Sequence, residues 1–332
     1  MADTSVLDHY LAPLRPLLAE DDVTELVINR PGEVGVEGAG GWRWSAAPEL
    51  TAAALGHLAV AAAAFTSQDV GPSNPLCSTV LPDGARCQIV LPPAAAHASI
   101  TLRKPSRRAL GLAEFSAAGL FERIAVATAG PDALDRRLLA LRDAGDWPAF
   151  FRLAVEGRRN ILISGATGSG KTTLAKGLIP LIPAEERLVT IEDARELVVP
   201  HRNAVHLVYA KDGQGLARVG PKQLLECALR MRPDRILLQE LRDASAFFYL
   251  RNVNSGHPGS ITTVHADSAT LAFEQLTLLV KESEAGRQLA REDIGALLRQ
   301  LVDIVVQMKR EGGRFRITEV WYEPLRKRAL AA

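Results

Sequence analysis

The stretch "ISGATGSGKTTL", residues 163–174, decides the fold of this chain. Within it Gly165-Ala166-Thr167-Gly168-Ser169-Gly170-Lys171-Thr172 meets the pattern G-x-x-x-x-G-K-[ST] at every fixed position. Glycines let the backbone curl tightly, so that its N–H groups face inward around phosphate oxygens. Lys171 is placed to reach β- and γ-phosphates, and the Thr172 hydroxyl to ligate Mg²⁺. Thr173 follows inside the same binding set. The flanks give the pattern its weight. An apolar run, Asn160-Ile161-Leu162-Ile163-Ser164, precedes it, and Thr173-Leu174-Ala175-Lys176-Gly177-Leu178-Ile179 continues with helical spacing. A strand before and a helix after deliver the phosphates to a helix N-terminus. The loop therefore reads as a site for ATP with Mg²⁺.

Working outward, apolar runs at 161–164, 188–191, 205–209, 236–239 and 261–264 alternate with helical stretches. That alternation predicts a mostly parallel sheet with helices on its faces. The chain then closes on "DIVVQMKREGGRFRITEVWY", a hairpin turning at Gly312-Gly313. Upstream the text is α+β. "VTELVINR", "GEVGVE" and "WRW" are short strands, a helix covers about residues 48–68, "LPDGARCQIVLPP" turns at Pro82-Asp83-Gly84 into a strand, and "ASITLRK" is a further strand closed by Pro105. Between them, residues 112–157 carry Ala/Leu/Arg helices with Pro131 and Pro148 as start signals. The expected division is an amino-terminal α+β domain at 1–111, a helical linker region at 112–157 and an ATPase domain at 158–332.

Composition narrows the class. A chain of 332 residues fits about two domains. The formal net charge of +1 argues against a dominant nucleic-acid footprint, which needs a basic surface. Cys77, Cys87 and Cys227 form no CxxC pair and suit a reduced, cytoplasmic setting. The start, "MADTSVLDHYLAPL", has two acids and no basic n-region, so no signal peptide is expected. "LAVAAAAF" at 58–65 is too short to span a bilayer and reads as an Ala-rich packed helix, with peripheral membrane contact left open.

Ligands of open α/β sheets bind at the carboxyl ends of strands. Here the first strand ends at the phosphate loop, "LVTIED" at Glu192 and Asp193, "RILLQE" at Glu240 and "ITTVH" at His265. Phosphoryl transfer needs a second carboxylate on the Mg²⁺ side and a group that orients or deprotonates water. The apolar run before Glu240 makes it the Mg²⁺-side acid with Thr172, and Glu192 the water-orienting candidate with Asp193 as rival. Either acid could instead hold Arg195 or Arg242. His257 and His265, eight residues apart in "SGHPGSITTVHA", could sense the γ-phosphate or link neighbouring elements.

"GATGSGKTT", "TIEDARELVVP", "RPDRILLQELRD" and "NVNSGHPGSITTVHA", in this order, resemble the phosphate loop, acidic box, second nucleotide motif and histidine box of the secretion-superfamily traffic ATPases. "VTELVINRPGEV" and "LPDGARCQIVLPP…ASITLRKPS" resemble the amino-terminal domain of the ATPase under type IV secretion systems, so the likeness covers nearly the whole chain. The resemblance implies a RecA-like P-loop carboxyl-terminal domain with a smaller α+β amino-terminal domain. It implies a homo-hexameric ring with nucleotide between the two domains, on the cytoplasmic side of a bacterial inner membrane and in contact with secretion-machinery proteins there. It also assigns Arg86 and Arg103 as arginines that reach the phosphates from the amino-terminal domain, a role that suits a guanidinium. One departure is Gln239, where the family usually has glycine before the second-motif glutamate. The alternatives are a type IV pilus or type II secretion motor, a RecA-type DNA-translocating ATPase, a small-molecule kinase and a non-hydrolysing nucleotide-dependent scaffold. The chain lacks the four-cysteine insertion of many type II and pilus-assembly relatives.

Overall fold

In the computed structural model of the chain, the described residues are 4–105, 111–124, 130–211, 214–243, 245–254 and 256–325. Ser106, at the end of the "ASITLRKPS" stretch, and Ser255, in the histidine stretch, lie outside them, as do residues 125–129 of the linker and the last seven of the chain.

Two short helices open the chain, α1 (Ser5–Leu11) and α2 (Arg15–Ala19). They are followed by β1 (Glu25–Ile28), β2 (Gly32–Gly38) and β3 (Gly41–Ala47). Helix α3 (Ala52–Phe65) is shorter than the expected 48–68, because the Thr51 side chain accepts from Ala54 N–H at 3.2 Å and fixes the first turn. Then come β4 (Leu76–Val80), β5 (Arg86–Val90) and β6 (Ser99–Arg103). The six strands form one sheet in the order β3-β2-β1-β6-β5-β4, antiparallel at every pairing. The β4–β5 turn is the expected one: Gly84 has φ +85° and the Asp83 carboxylate accepts from Ala85 N–H at 3.0 Å. A core of α1, α3 and this sheet, including Leu26, Leu55, Ala59, Ile89 and Ile100, is buried on one side.

Three helices connect onward: α4 (Leu112–Ala117), α5 (Ala133–Asp143) capped by Asp132, and α6 (Trp147–Glu156) capped by Asp146 with Pro148 in its first turn. The second half then alternates β7 (Ile161–Gly165), α7 (Lys171–Leu178), β8 (Leu188–Glu192), β9 (Ala204–Val208), α8 (Pro221–Ala228), β10 (Arg235–Leu238), α9 (Ser245–Asn254), β11 (Ile261–Val264), α10 (Ala269–Glu282), α11 (Arg291–Leu301), β12 (Ile304–Glu311) and β13 (Arg314–Trp321). Two hydrogen-bonded groups, β10-β8-β9 and β11-β7-β12-β13, meet at a parallel bridge between Glu240 and Thr263. The order across the whole is therefore β9-β8-β10-β11-β7-β12-β13, parallel throughout except for β13. Both faces are covered, as a parallel sheet requires. Leu162 of β7 turns into one core with Val189, Ile236 and Phe273, and its neighbours Ile161 and Ile163 into another with Phe150, Leu178 and Leu237.

The antiparallel sheet packs beside β9, away from the phosphate loop. Ala95 bridges to Leu207, and Val208 N–H donates to Ala94 O at 2.8 Å. Fully buried Arg187 ties the joint, donating to Met231 O at 2.7 Å, Asn29 Oδ1 at 2.8 Å and Thr101 Oγ1 at 3.2 Å. Arg232 donates to Glu37, and Arg202 to Glu33 at 2.9 Å while stacking on Trp44.

Candidate functional site

Strand β7 is buried along its full length and runs into the loop between its neighbours β11 and β12. Three loop glycines take positive φ: Gly165 at +155°, Gly168 at +74° and Gly170 at +94°. At Gly165 a side chain would also meet Met308 O at 2.5 Å, and at Gly170 the Phe315 ring at 2.8 Å. Here the glycines are steric requirements as well as conformational ones. Ala166, Thr167 and Gly168 are exposed, whereas the Ser169 hydroxyl is buried with no hydrogen-bond partner. Helix α7 begins at Lys171, with Thr172 half-buried and Thr173 exposed.

The Lys171 ammonium donates to Gly165 O at 2.7 Å and Ala166 O at 3.1 Å, and lies 3.4 Å from His265 Nδ1. Burial pulls its pKa down; Glu240 opposes that shift and Arg242 adds to it. The far side of the imidazole, Nε2, stands 2.8 Å from Glu240 Oε1. Arg242 donates to the other oxygen of Glu240 and to Asp193 Oδ2 at 3.0 Å. Burial alone would raise the Glu240 pKa, but Arg242, His265 and Lys171 hold it below the ordinary carboxylate value. Lys171, His265, Glu240, Arg242 and Asp193 thus form one run of contacts across the ends of β7, β11, β10 and β8.

Glu192 ends β8 but faces elsewhere. It is 1 % exposed. Its Oε1 accepts from Thr190 Oγ1 at 2.9 Å, and Oε2 accepts from Glu196 N–H and Leu197 N–H, each at 2.8 Å. Burial works to raise its pKa, yet His206, these two N–H groups and Thr190 bring it below the ordinary value. Oε2 is thereby committed to the loop after β8, and Oε1 to Thr190 of its own strand beside His206 of β9. Gln239 keeps the strand ladder, donating to Ile191 O at 3.1 Å, and it is not among the positive-φ residues, so its backbone does not demand glycine.

His257 sits before β11, at the amino-terminal ends of the central strands and away from the phosphate loop. It bonds the Pro233 carbonyl beside Asp234 and Arg232, and burial lowers its pKa. Arg86 and Arg103 are exposed neighbours across β5 and β6 and line a cavity of about 450 Å³ with Arg230. The phosphate loop lines a different cavity of about 400 Å³, with Asp267 and residues 307–311. The amino-terminal sheet contributes nothing to the lining of this cavity. Sequence reading found the β12–β13 hairpin but missed its place beside the loop, and missed the Thr190–His206 support of Glu192. The alternation of "AVHLV" puts His206 on one face of its strand but does not reveal which neighbour it meets.

A glycine loop fed by a central parallel strand, with acids at adjoining strand ends, is the architecture of a RecA-like P-loop ATPase. The model of the type II/IV secretion system protein family matches residues 139–320, more than half of the chain. The type IV secretion system protein VirB11 of Bartonella henselae is 49% identical over 331 residues, covering 96% of this chain and 93% of that protein. Protein VirB11 of Agrobacterium fabrum is 43% identical, covering 94% and 92%. The crystal structure of the VirB11 ATPase from the Brucella suis type IV secretion system, solved with sulphate, superposes with a TM-score of 0.91 at 43% identity, covering 98% of this chain and all of that one. The chain belongs to the VirB11 family of type IV secretion ATPases. Among the described residues no helix is long and apolar enough to cross a membrane.

Proposed function

We propose that the chain is one subunit of a homo-hexameric, ATP-hydrolysing ring motor at the cytoplasmic face of a bacterial inner membrane. Residues 158–332 act as the motor, residues 1–111 as an arm and residues 112–157 as the tether. The observation that carries this reading is the run Lys171–His265–Glu240–Arg242–Asp193 across four strand ends.

The loop fits a triphosphate: its glycines admit close backbone approach, and the buried Ser169 hydroxyl lacks a partner. Thr172 and Glu240 would hold Mg²⁺, which would supply neutralisation of phosphate charge. Lys171 exchanges two carbonyl contacts for charge-assisted bonds to phosphate, the stronger class. Its departure from His265 lets the imidazole report the γ-phosphate to Glu240. Glu192 then acts through the segment that it anchors, which carries Asp193 toward Arg242. Arg86 and Arg103 complete the site on the neighbouring subunit. Their separation from their own loop supports a ring in which arm and motor of adjacent chains share each nucleotide. Secretion-machinery proteins are the partners, since the relatives named above carry the type IV secretion name.

The test is phosphate release by Lys171→Ala and Arg103→Ala proteins. Lys171→Ala is expected to abolish turnover, and near-normal hydrolysis would sink the site. Arg103→Ala is expected to leave nucleotide binding intact and lower kcat at least tenfold, a loss of about 1.4 kcal/mol of transition-state stabilisation.

A further inference from the structure

Strand pairing sets a row of charged residues across the amino-terminal sheet. Glu37 of β2 faces Glu25 of β1, Glu25 faces Arg103 of β6, and Arg103 faces Arg86 of β5. Directly opposed residues of antiparallel strands share a face and lie roughly 5 Å apart at Cβ. At one end the row meets the motor half, where Arg232 donates to Glu37 and, at 2.7 Å, to Asp234 just before β10. At the other end stands Arg86.

Glu25 is the unusual member. It is buried, its Oε1 lies 3.1 Å from Arg103 Nε, and its Oε2 has no hydrogen-bond partner. A carboxylate kept out of water with half its acceptor capacity unused is costly to the fold. Arg103, by contrast, is 66% exposed along its side chain, and Glu25 is the carboxylate that restrains it among the described residues. Arg103 also stands at a divide. It lines the cavity that holds Arg86 and Arg230, and also a wider one of about 1100 Å³ that holds Glu25, Glu37, Arg232, Asp21, Asp22 and Lys104.

We propose that Glu25 is a positioning residue that aims the Arg103 guanidinium at nucleotide phosphate, and that the Arg232–Glu37 contact gives the motor half a hold on that aim. This rests on the reading of Arg103 as a phosphate contact. An exposed arginine explores many rotamers, and one buried partner at its Nε removes much of that freedom while leaving its terminal nitrogens open. Arg232 precedes β10, whose end presents Glu240, so movement at one nucleotide site reaches the arginine that serves the next.

Protonation gives a signature. Burial pushes the Glu25 carboxyl up to about 7; Arg103 opposes the rise, Glu37 adds to it, and Arg232 and Arg187 oppose it. Asp21, Asp22 and Lys104 face the same cavity. Above that value Glu25 is charged and holds Arg103, and below it the hold is lost. Hydrolysis is therefore expected to fall as pH drops through about 7.

The test is steady-state ATP hydrolysis by the full chain, its Glu25→Gln and Arg103→Ala variants and the double variant, from about pH 6 to about pH 8.5. Glu25→Gln is expected to lower kcat about fivefold at the alkaline end, to leave KM within about twofold and to erase the inflection near neutrality. In the Arg103→Ala background the same change is expected to be silent. An equal loss in both backgrounds, or wild-type kcat in a folded Glu25→Gln protein, overturns the proposal while Arg103 keeps its role. Wild-type turnover by Arg103→Ala overturns the underlying reading instead. Should Glu25→Gln fail to fold, Glu37→Gln enters the same cycle, with the same silence expected beside Arg103→Ala.

Discussion

Glu192 and Glu240 end the adjacent strands β8 and β10 and face opposite fates. Glu240 meets His265, Arg242 and the field of Lys171, all at the phosphate end. Glu192 accepts three hydrogen bonds from its own strand and loop. Glu240→Gln is accordingly expected to lower kcat at least about a hundredfold with little change in Tm, because its partners serve chemistry. Glu192→Gln is expected to cost about 1.5–3 kcal/mol of stability, because an amide cannot accept at both oxygens and charged acceptors bind more strongly than neutral ones. Its pKa is lowered by folding, so the stabilisation is present above the ordinary carboxylate value of the unfolded chain and is lost as pH falls through the folded value. Thermal unfolding at about pH 7 and about pH 4 should show the gap between wild type and Glu192→Gln closing in acid. That these two acids sit at strand ends was legible in the sequence. Which one turns toward Lys171 and His265 of the loop end was not, because it depends on Thr190, His206 and a loop conformation that spacing does not encode.

At the scale of elements, the terminal hairpin walls the phosphate loop. Met308 of β12 pairs with Gly165 of β7, and the Phe315 ring of β13 rests on Gly170. Two effects oppose a side chain at Gly170: the ring at 2.8 Å and a φ of +94°. An exposed ring can move, whereas a left-handed φ costs a non-glycine residue roughly 1–2 kcal/mol whatever the space. Gly170→Ala should therefore weaken binding of a fluorescent ATP analogue, and adding Phe315→Ala should recover little of the loss. Full recovery would make the ring, and not the backbone, the decisive constraint. The glycine pair at the hairpin turn was readable from sequence. Its place beside β7 was not, since that pairing joins residues more than a hundred positions apart. Helices α1 and α2 also escaped notice: Pro13 and Pro16 look like breakers, yet each sits in the first turn of a short helical segment, where proline is tolerated. Strand β4 was missed because "LCSTV" is brief and follows a Pro/Asn-rich stretch.

At the scale of the whole molecule, Arg86 and Arg103 line a cavity other than the one beside the phosphate loop of their own chain, so the proposed sharing of a site between subunits is a measurable property. Chains with Lys171→Ala are expected to be inactive alone, and chains with Arg103→Ala to keep about a tenth of wild-type turnover or less. Mixed in equal amounts, they should regain about a quarter of wild-type turnover, because that share of random neighbour pairs unites an intact loop with an intact arm. No recovery in rings confirmed by light scattering would place both groups within one subunit. The two-part organisation was legible as a change of texture, from short strands and turn residues to alternating apolar runs and helices. The orientation of the parts was not, because the joint is made by isolated polar residues, Asn29, Arg187, Asn203 and Arg232, that follow no period.

The rung that Ala94 and Ala95 add to β9 has a further effect. Strand β9 is the outermost of the parallel set, and an outermost strand with free N–H and C=O groups is a template for any passing polypeptide. The arm covers part of that template with its own backbone, so a newly made chain offers less open strand edge to other polypeptides. A protease that severed the arm would leave a motor unit with an adhesive border, and aggregation would follow before any loss of the nucleotide site.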